Sequence, residues 1–396
     1  MDPPVPDATE AFVKVLLEIR SHLDDGTTSF MLFLELAKRI PNIDPHHIPQ
    51  LVINLAKLLK NLPKAFHQLN KLLYPHARVD FNVLQKPLTC FVLKTSSASQ
   101  IIVLDAHPDR LRFNGLSVAE LQAILLDSNL RGIQYNDLDA VTDTALQGCL
   151  AQLVQNLLDD SNTLKTCRKK ALAYLRKPLG IPPSLFLHDL IQLDTFDYTG
   201  LSDLYTGVVG HQSVIIKKPR VRQDLRDCLK IAREIVLCRQ LRHPNILPFI
   251  GASFDEQRRL CGLVTPYMQN GNVMKFLEDH PAVDRLTPTW QIMKGLEFLH
   301  NFDPPIAHRD IKGANILVND ALVCCLSDFG LSSIPEISQR SRERAVGTFS
   351  WMAPEVLSLP EDGDLNLFQA DMYSLGITIF EVRDLLTFEC EAHYQD

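Results

Sequence analysis

Long apolar runs are missing from this chain. No stretch approaches the roughly 18 residues that a membrane-spanning helix needs, so no membrane span is expected. Paired cysteines are missing as well. The nine Cys form no CxxC and keep no regular spacing, which excludes a zinc ribbon and a disulfide framework and points to a reducing compartment. The start, Met1-Asp2-Pro3-Pro4, has neither the basic residues nor the apolar run of a signal peptide. A cytoplasmic or nuclear, intracellular location is therefore expected. An excess of positive charge is also absent. With 40 Lys and Arg against 47 Asp and Glu, the net charge is −7 and no nucleic-acid partner is expected. What is present is ordinary globular material, 46% hydrophobic and 22% charged. A length of 396 residues suits two or three domains.

Residues 1–82 read as four amphipathic helices. Asp7-x-x-Glu10 fits a capping box ahead of Phe12, Leu16, Ile19 and Leu23, and Asp25-Gly26 ends that helix. Thr28 or Ser29 caps the second, with Phe30, Phe33, Leu34 and Ala37 on one face and Pro41 as its stop. Pro49 opens the third, with Leu51, Leu55, Leu58 and Leu62. Asn61 caps the fourth, with Pro63 in its first turn, Phe66, Leu69 and Leu73 inside, and Tyr74-Pro75 at its end. The segment from Leu58 through Leu62-Pro63 to Phe66, then Leu69-Asn70-Lys71-Leu72-Leu73, resembles the second half of a paired amphipathic helix module. Those modules of transcriptional corepressors are four-helix bundles, and the resemblance implies an amphipathic-helix partner held in a groove. An ordinary bundle whose leucine stripe is all core is the other reading.

Residues 83–190 form a linker and a helical region. Phe91-Val92-Leu93 and Ile101-Ile102-Val103-Leu104 flank a serine-rich stretch and fit either a hairpin or a tethered linker. Ser117-Val118-Ala119-Glu120 is a capping box. A longer helix carries Leu146, Leu150, Leu153 and Leu157. Another, Leu164 to Leu175, is followed and lined by Lys165, Arg168, Lys169, Lys170, Arg176 and Lys177, a solvated face or a dock for an acidic partner. Gly180-Ile181-Pro182-Pro183 punctuates the chain before a third domain at 191–396.

That last domain is organised around His308-Arg309-Asp310-Ile311-Lys312-Gly313-Ala314-Asn315. Ile316-Leu317-Val318 reads as a buried strand, Asn319-Asp320 as a turn and Leu322 to Leu326 as the return strand. The hairpin brings Asp328 back beside Asn315, so that a carboxylate and an amide oxygen face one point, as hard Mg²⁺ requires. Asp328-Phe329-Gly330 and Ala353-Pro354-Glu355 follow in order. Together these segments resemble the catalytic loop, metal-binding turn and activation-segment end of the protein kinases. The resemblance implies that Asp310 accepts the substrate hydroxyl proton, that Lys312 neutralises the transferred phosphate, and that Asn315 and Asp328 hold Mg²⁺. Lys312, with Gly347-Thr348 near it, is the Ser/Thr pattern, closest to the tyrosine-kinase-like branch.

The nucleotide side of the resemblance is less regular. Val214-Ile215-Ile216-Lys217 resembles the strand that ends in the ATP-binding lysine, and Glu234, 17 residues on in an apolar-periodic helix, is its ion-pair partner. Asp197, Thr199 and Ser202 stand where three glycines usually cover the phosphates, leaving Gly200 in the loop beside Ser202. Ile215 replaces the usual alanine at the adenine face. The resemblance places Thr265 at the gatekeeper position, Tyr267 and Met268 in the hinge that bonds the adenine edge, and Leu317 among the nucleotide-binding residues. Ser332, Ser333, Ser338 and Ser341, with Arg340, Arg342 and Arg344, give the activation segment sites for a phosphate that pairs with Arg309. Asp371-Met372-Tyr373-Ser374-Leu375-Gly376 resembles the central helix of the large lobe, and from Glu381 onward the pattern is not expected to continue.

The fold expected is α+β: an all-helical N-terminal region followed by a bilobal protein-kinase fold lacking its last helices. The function implied is a Ser/Thr protein kinase that transfers the γ-phosphate of ATP to hydroxyls of protein substrates. The alternative is a pseudokinase scaffold that recruits partners through its N-terminal helices.

Overall fold

Alternating and continuous apolar runs build a small antiparallel sheet in the N-terminal half, where β1 (Ala77–Asp80), β2 (Cys90–Thr95) and β3 (Ser99–Val103) pair in the order β1-β2-β3. The computed structural model describes residues 48–59, 70, 73, 77–80, 88–95, 98–105, 107–126, 130, 133–160, 163–176, 181–198, 202–219, 225–254, 260–335, 347–358 and 365–384. Phe91, Val92 and Leu93 of the central strand are fully buried, which is why their run is apolar on both faces. Val92 sits opposite Ile101, and Leu93 opposite Val79. Thr95 N–H closes the β2–β3 turn on Ala98 O at 2.8 Å, so the hairpin reading of this segment holds and the tethered-linker reading does not. The all-helical expectation for the N-terminal region is corrected here. β1 lies in a stretch assigned to helices, because its partner strand is supplied ten or more residues later and leaves no mark on the local pattern. The side chain of Asn70 fixes β1 from outside, donating to Val79 O at 2.8 Å and accepting from Val79 N at 2.7 Å.

Helices flank this sheet. α1 (Ile48–Leu59) buries Leu51 and Leu55 as expected, with Val52 and Ala56 between them. The other three expected N-terminal helices fall mostly or wholly outside the described residues. α2 (Val118–Leu125) starts with the expected capping box: Glu120 N bonds Ser117 Oγ at 3.3 Å, and Ser117 N bonds Glu120 Oε2 at 2.9 Å. α3 (Thr144–Asp159) lies against β2 and β3 and buries Leu146, Leu150, Leu153 and Leu157. Its cap, Asp143, accepts from Leu146 N at 2.8 Å and from Arg110 Nη2 at 2.6 Å, a geometry that holds the carboxyl below its usual range although burial alone would raise it. α4 (Lys165–Leu175) turns Cys167, Ala171, Leu172 and Leu175 inward, with Lys165 and Lys169 exposed.

The chain divides into two compact units, Met1–Leu185 and Phe186–Asp396. In the second, five strands pair in the order β4-β5-β6-β8-β7: β4 (Leu190–Tyr198), β5 (Ser202–Val209), β6 (Gln212–Pro219), β7 (Gly251–Phe254) and β8 (Leu260–Pro266). Gly210, at φ +60°, makes the tight β5–β6 turn that L residues resist. α5 (Leu225–Gln240) packs on β8. The helical part holds α6 (Val273–Asp279), α7 (Leu286–His300) and α8 (Leu367–Asp384), with the short hairpin β9 (Ile316–Val318) and β10 (Cys324–Leu326). The return strand is shorter than expected because Leu322 takes φ +58° in the turn, where the Asn319 side chain accepts from Ala321 N and Val323 N, each at 2.9 Å. α8 runs past Glu381 to Asp384.

Ser117→Ala removes one half of the capping box of α2. It should lower the unfolding free energy by about 1 kcal/mol with an unchanged denaturant slope, as read in urea unfolding of the full chain.

Candidate active site

The site is built on a buried carboxylate. Asp371, 1% exposed at the start of α8, accepts from the backbone N–H of His308 and of Arg309, both at 2.8 Å, and from His300 Nε2 at 3.0 Å. Arg309 needs this hold, because its φ of +71° is a left-handed setting that costs a side-chain-bearing residue about 1–3 kcal/mol. His308 is locked between two further groups. Its Nε2 lies 3.0 Å from Ser327 O, and its Nδ1 accepts from Asp310 N at 3.3 Å, which assigns the proton to Nε2. Three more residues of α8 reach the same loop or its neighbour. Thr378 Oγ1 donates to Ile311 O at 3.3 Å, Ser374 Oγ donates to Trp351 O at 2.7 Å, and Glu381 Oε2 accepts from Gly313 N at 2.8 Å. Asp371, Ser374, Thr378 and Glu381 follow one another at steps of three, four and three, a single helix face.

The loop so held presents Asp310. Its Oδ1 accepts from Thr348 N at 3.0 Å and Thr348 Oγ1 at 2.8 Å; its Oδ2 accepts from Asn315 Nδ2 at 2.7 Å and Lys312 Nζ at 3.0 Å. Lys312 Nζ also donates to Thr348 Oγ1 at 2.5 Å. Gly347 lets this approach happen, since a Cβ on it would lie 2.8 Å from Arg309 O. Four donors fix the carboxylate in one orientation, as a proton acceptor aimed at a substrate requires.

The β9–β10 hairpin brings the second cluster alongside. Ser327 N and Oγ both bond Asn315 O, at 2.9 and 2.8 Å, which sets Asp328 next to Asn315. Asp328 takes φ +62°. Lys217 Nζ from β6 lies 2.6 Å from Asp328 Oδ1 and 3.0 Å from Glu234 Oε1 on α5. Burial pulls the Lys217 ammonium down, but the two carboxylates outweigh it and raise it above its ordinary value. Burial pushes Glu234 up by more than Lys217 lowers it. Asp328 is also pushed up by burial, yet the Lys217 ion pair and hydrogen bond hold it below its usual range.

The donor set fits a magnesium ion. Asn315 commits Nδ2 to Asp310 O and Oδ2, at 2.8 and 2.7 Å, so its amide oxygen is not spent on Asp310. Among the described residues no cluster of three or more His, Cys, Asp or Glu forms a cage. One carboxylate and one amide oxygen, with phosphate oxygens and water completing the shell, is the way Mg²⁺ is usually held.

Other residues expected at the site fall around the β5–β8 strands. Thr265 pairs with Ile215, and both are half-buried. Tyr267 N–H donates to Ser213 O at 3.0 Å, and Pro266 has no N–H, so a backbone donor to a ligand moves on to Met268. The Tyr267 ring meets Phe196 edge-on at 5.6 Å. Ser202 is buried opposite Pro219, and half-buried Leu317 bridges to Asn272. Gly200 lies outside the described residues, as do Ser338, Ser341 and the arginines 340, 342 and 344. Ser332 and Ser333 are part of the ordered turn after Gly330, Ser332 Oγ donating to His308 O at 3.2 Å. Glu355 is exposed. Sequence reasoning missed Glu381 and His300. The cue for Glu381 was the polar stripe of α8, Asp371-x-x-Ser374-x-x-x-Thr378-x-x-Glu381.

Residues 204–391 match the family model described as the protein kinase domain. Among similar proteins are the serine/threonine-protein kinase CTR1 of Arabidopsis thaliana, 36% identical over 44% of this chain and 22% of its own length, and STY46 of the same plant, 35% identical over 46% and 31%. Mitogen-activated protein kinase kinase kinase 10 of Mus musculus is 30% identical over 52% of this chain and 22% of its own length. The chain thus spans under a third of the length of these relatives.

In the wild type, depressed Asp328 contributes stability that is present at neutral pH and lost as pH falls through its folded pKa. Lys217→Met leaves Glu234 and Asp328 facing each other without a cation. The unfolding free energy near neutral pH should drop by about 2–3 kcal/mol, less than for a wholly buried pair because Asp328 is 37% exposed. The two carboxylates then raise one another, so the deficit should shrink towards about pH 5, where the variant takes up protons. Urea midpoints at the two pH values test this, and an equal deficit at both would count against the cluster.

Proposed function

Because the second half of this chain is a protein kinase domain of the kind found in Ser/Thr kinases, we propose that the chain transfers the γ-phosphate of ATP to serine or threonine hydroxyls of protein substrates. The observation that carries this reading is the pair of adjoining clusters: Lys217 bridging Glu234 and Asp328 at 3.0 and 2.6 Å, and Asp310 gripped by four donors. In phosphoryl transfer the reacting group needs positioning and charge neutralisation more than covalent help. Lys217, kept charged by two carboxylates, orients the α and β phosphates. Glu234 holds Lys217 on α5. Asn315 and Asp328 would hold Mg²⁺, which would supply neutralisation of the phosphate charge. Asp310 orients the incoming hydroxyl and accepts its proton. Lys312, between Asp310 and Thr348, balances charge on the moving phosphoryl group. Ser202, Thr265, Met268 and Leu317 line the nucleotide side, with Tyr267 acting through its ring rather than its N–H.

The N-terminal region, in this reading, binds partners, and an amphipathic helix of another protein is the expected occupant. No helix among the described residues is long and apolar enough to cross a membrane, and the cytoplasm or nucleus supplies the ATP.

Mg·ATP at about 100 times its dissociation constant should stabilise the full chain by about 2.7 kcal/mol, an upward shift of several degrees in a thermal melt. Asp328→Ala should abolish the shift. Asp310→Asn should keep it while lowering kcat by about 10²–10⁴-fold on a generic acceptor such as casein. A cooperative melt that ignores Mg·ATP would instead favour a partner-binding scaffold without catalysis.

A further inference from the structure

Away from the site, the N-terminal unit brings two cysteines together. Cys90 opens β2, the central strand, and Cys149 lies in α3, which packs on that strand. The two are 59 residues apart in sequence, and each is 1% exposed. Cys149 Sγ donates to Cys90 Sγ at 3.3 Å. Ala145, one turn earlier on the same face of α3, is small and buried, which lets the helix backbone lie close to the strand. Six described cysteines are buried free thiols, and in this pair each sulfur has the other as its partner. Arg110, bonded to Asp143 at 2.6 Å and to Asp105, is the cation that acts on Cys149.

We propose that Cys90 and Cys149 are a redox pair, joined by a two-electron oxidation into a disulfide that ties α3 to β2. The oxidant is hydrogen peroxide. One sulfur, as its thiolate, attacks a peroxide oxygen; the O–O bond breaks, water leaves and a sulfenic acid remains. The second sulfur then attacks the first, the S–O bond breaks and a second water leaves. Two thiols have given up two electrons and two protons, and one peroxide has become two waters. Bond formation brings the sulfurs from 3.3 Å to about 2.05 Å, a shift within reach of side-chain rotation. A core thiol is ordinarily inert, because burial suppresses its thiolate. The hydrogen bond to Cys90 and burial push the Cys149 thiol up; Asp143 adds to the rise and Arg110 works against it. The first attack is therefore slow and waits on local opening. The second is fast, because the partner sulfur is already in place. Such a bond forms under oxidative exposure and is undone by a thiol reductant, unlike a resident disulfide. It uses none of the phosphotransfer residues and stands independently of that reading.

Trypsin isolates each of these cysteines in its own peptide, residues 79–94 and 132–165. The experiment treats the reduced full chain with excess hydrogen peroxide, blocks the remaining thiols and maps the digest by mass spectrometry. A linked pair of the two peptides should appear, lighter than their sum by the hydrogens lost, and should vanish with dithiothreitol. Closing a loop of this length should raise the melting transition of the linked chain by about 5–15 °C in calorimetry. Urea below the unfolding midpoint should speed the linkage, since opening admits the oxidant. Cys149→Ala, treated alike, should show neither the link nor the shift. Peptides that stay as free thiols, or that carry sulfinic acid without a link, overturn the proposal. So does a link that forms only in urea above the midpoint, and so does a linked chain that melts no higher than the reduced one. If Cys149→Ala does not fold, the wild-type peptide map and melt decide alone, since neither needs a variant.

Discussion

The two hydrogen bonds from His308 and Arg309 N–H to the Asp371 carboxylate are the constraint on which the site depends. They hold a left-handed Arg309 that the chain would otherwise relax. With that residue fixed, His308 faces Ser327, Asp310 faces Thr348 and Asn315, and the hairpin returns Asp328 to the Lys217–Glu234 pair. Each of these contacts depends on the loop backbone set by Asp371. The carboxylate is buried, and three N–H donors offset the cost of burying it.

Charge in the site is sorted by geometry. Lys217 sits between two carboxylates, so one cation serves both an acid that burial pushes up and an acid that the ion pair pulls down. Asn315 separates this cluster from Asp310. Its nitrogen is spent on the Asp310 side, and its oxygen is not. An aspartate there would set a second carboxylate against Asp310 and raise both.

Much of this was legible in the sequence where the spacing is local. Asp310, Lys312 and Asn315 fall within one loop, and the strand–turn–strand pattern to Asp328 is short enough to read residue by residue. The Lys217–Glu234 pair was legible because a strand end and an apolar-periodic helix restrict where two side chains can go. The Lys217–Asp328 contact, 111 residues apart, was not read, because nothing in the local pattern of either segment marks it. Glu381 was not read, because attention to apolar periodicity passes over a helix whose buried stripe is polar. The sheet of the N-terminal half was read as helix or left open for a similar reason. β1 is four residues long, and its register is set by β2 rather than by its own pattern. The three replaced glycine positions, Asp197, Thr199 and Ser202, and Gly200 were singled out by comparison with the kinase pattern alone.

α8 buries Asp371, Ser374, Thr378 and Glu381 alongside Leu375 and Val382, and it exposes Met372 at 54% and Phe380 at 56%. Hydrophobic burial alone does not orient such a helix, since apolar residues lie on its buried and on its exposed side. Its rotation is set by directional bonds. Turning it by one residue position, about 100°, would strand four donors: His308 N, Arg309 N, Gly313 N and the Trp351 indole. At about 1–3 kcal/mol for each unmet buried donor, the misrotated state lies roughly 4–12 kcal/mol higher. That is comparable to the whole stability of a typical domain, about 5–15 kcal/mol. The rotational setting of α8 is therefore all-or-none, and there is no partly turned helix that would leave the catalytic loop half formed.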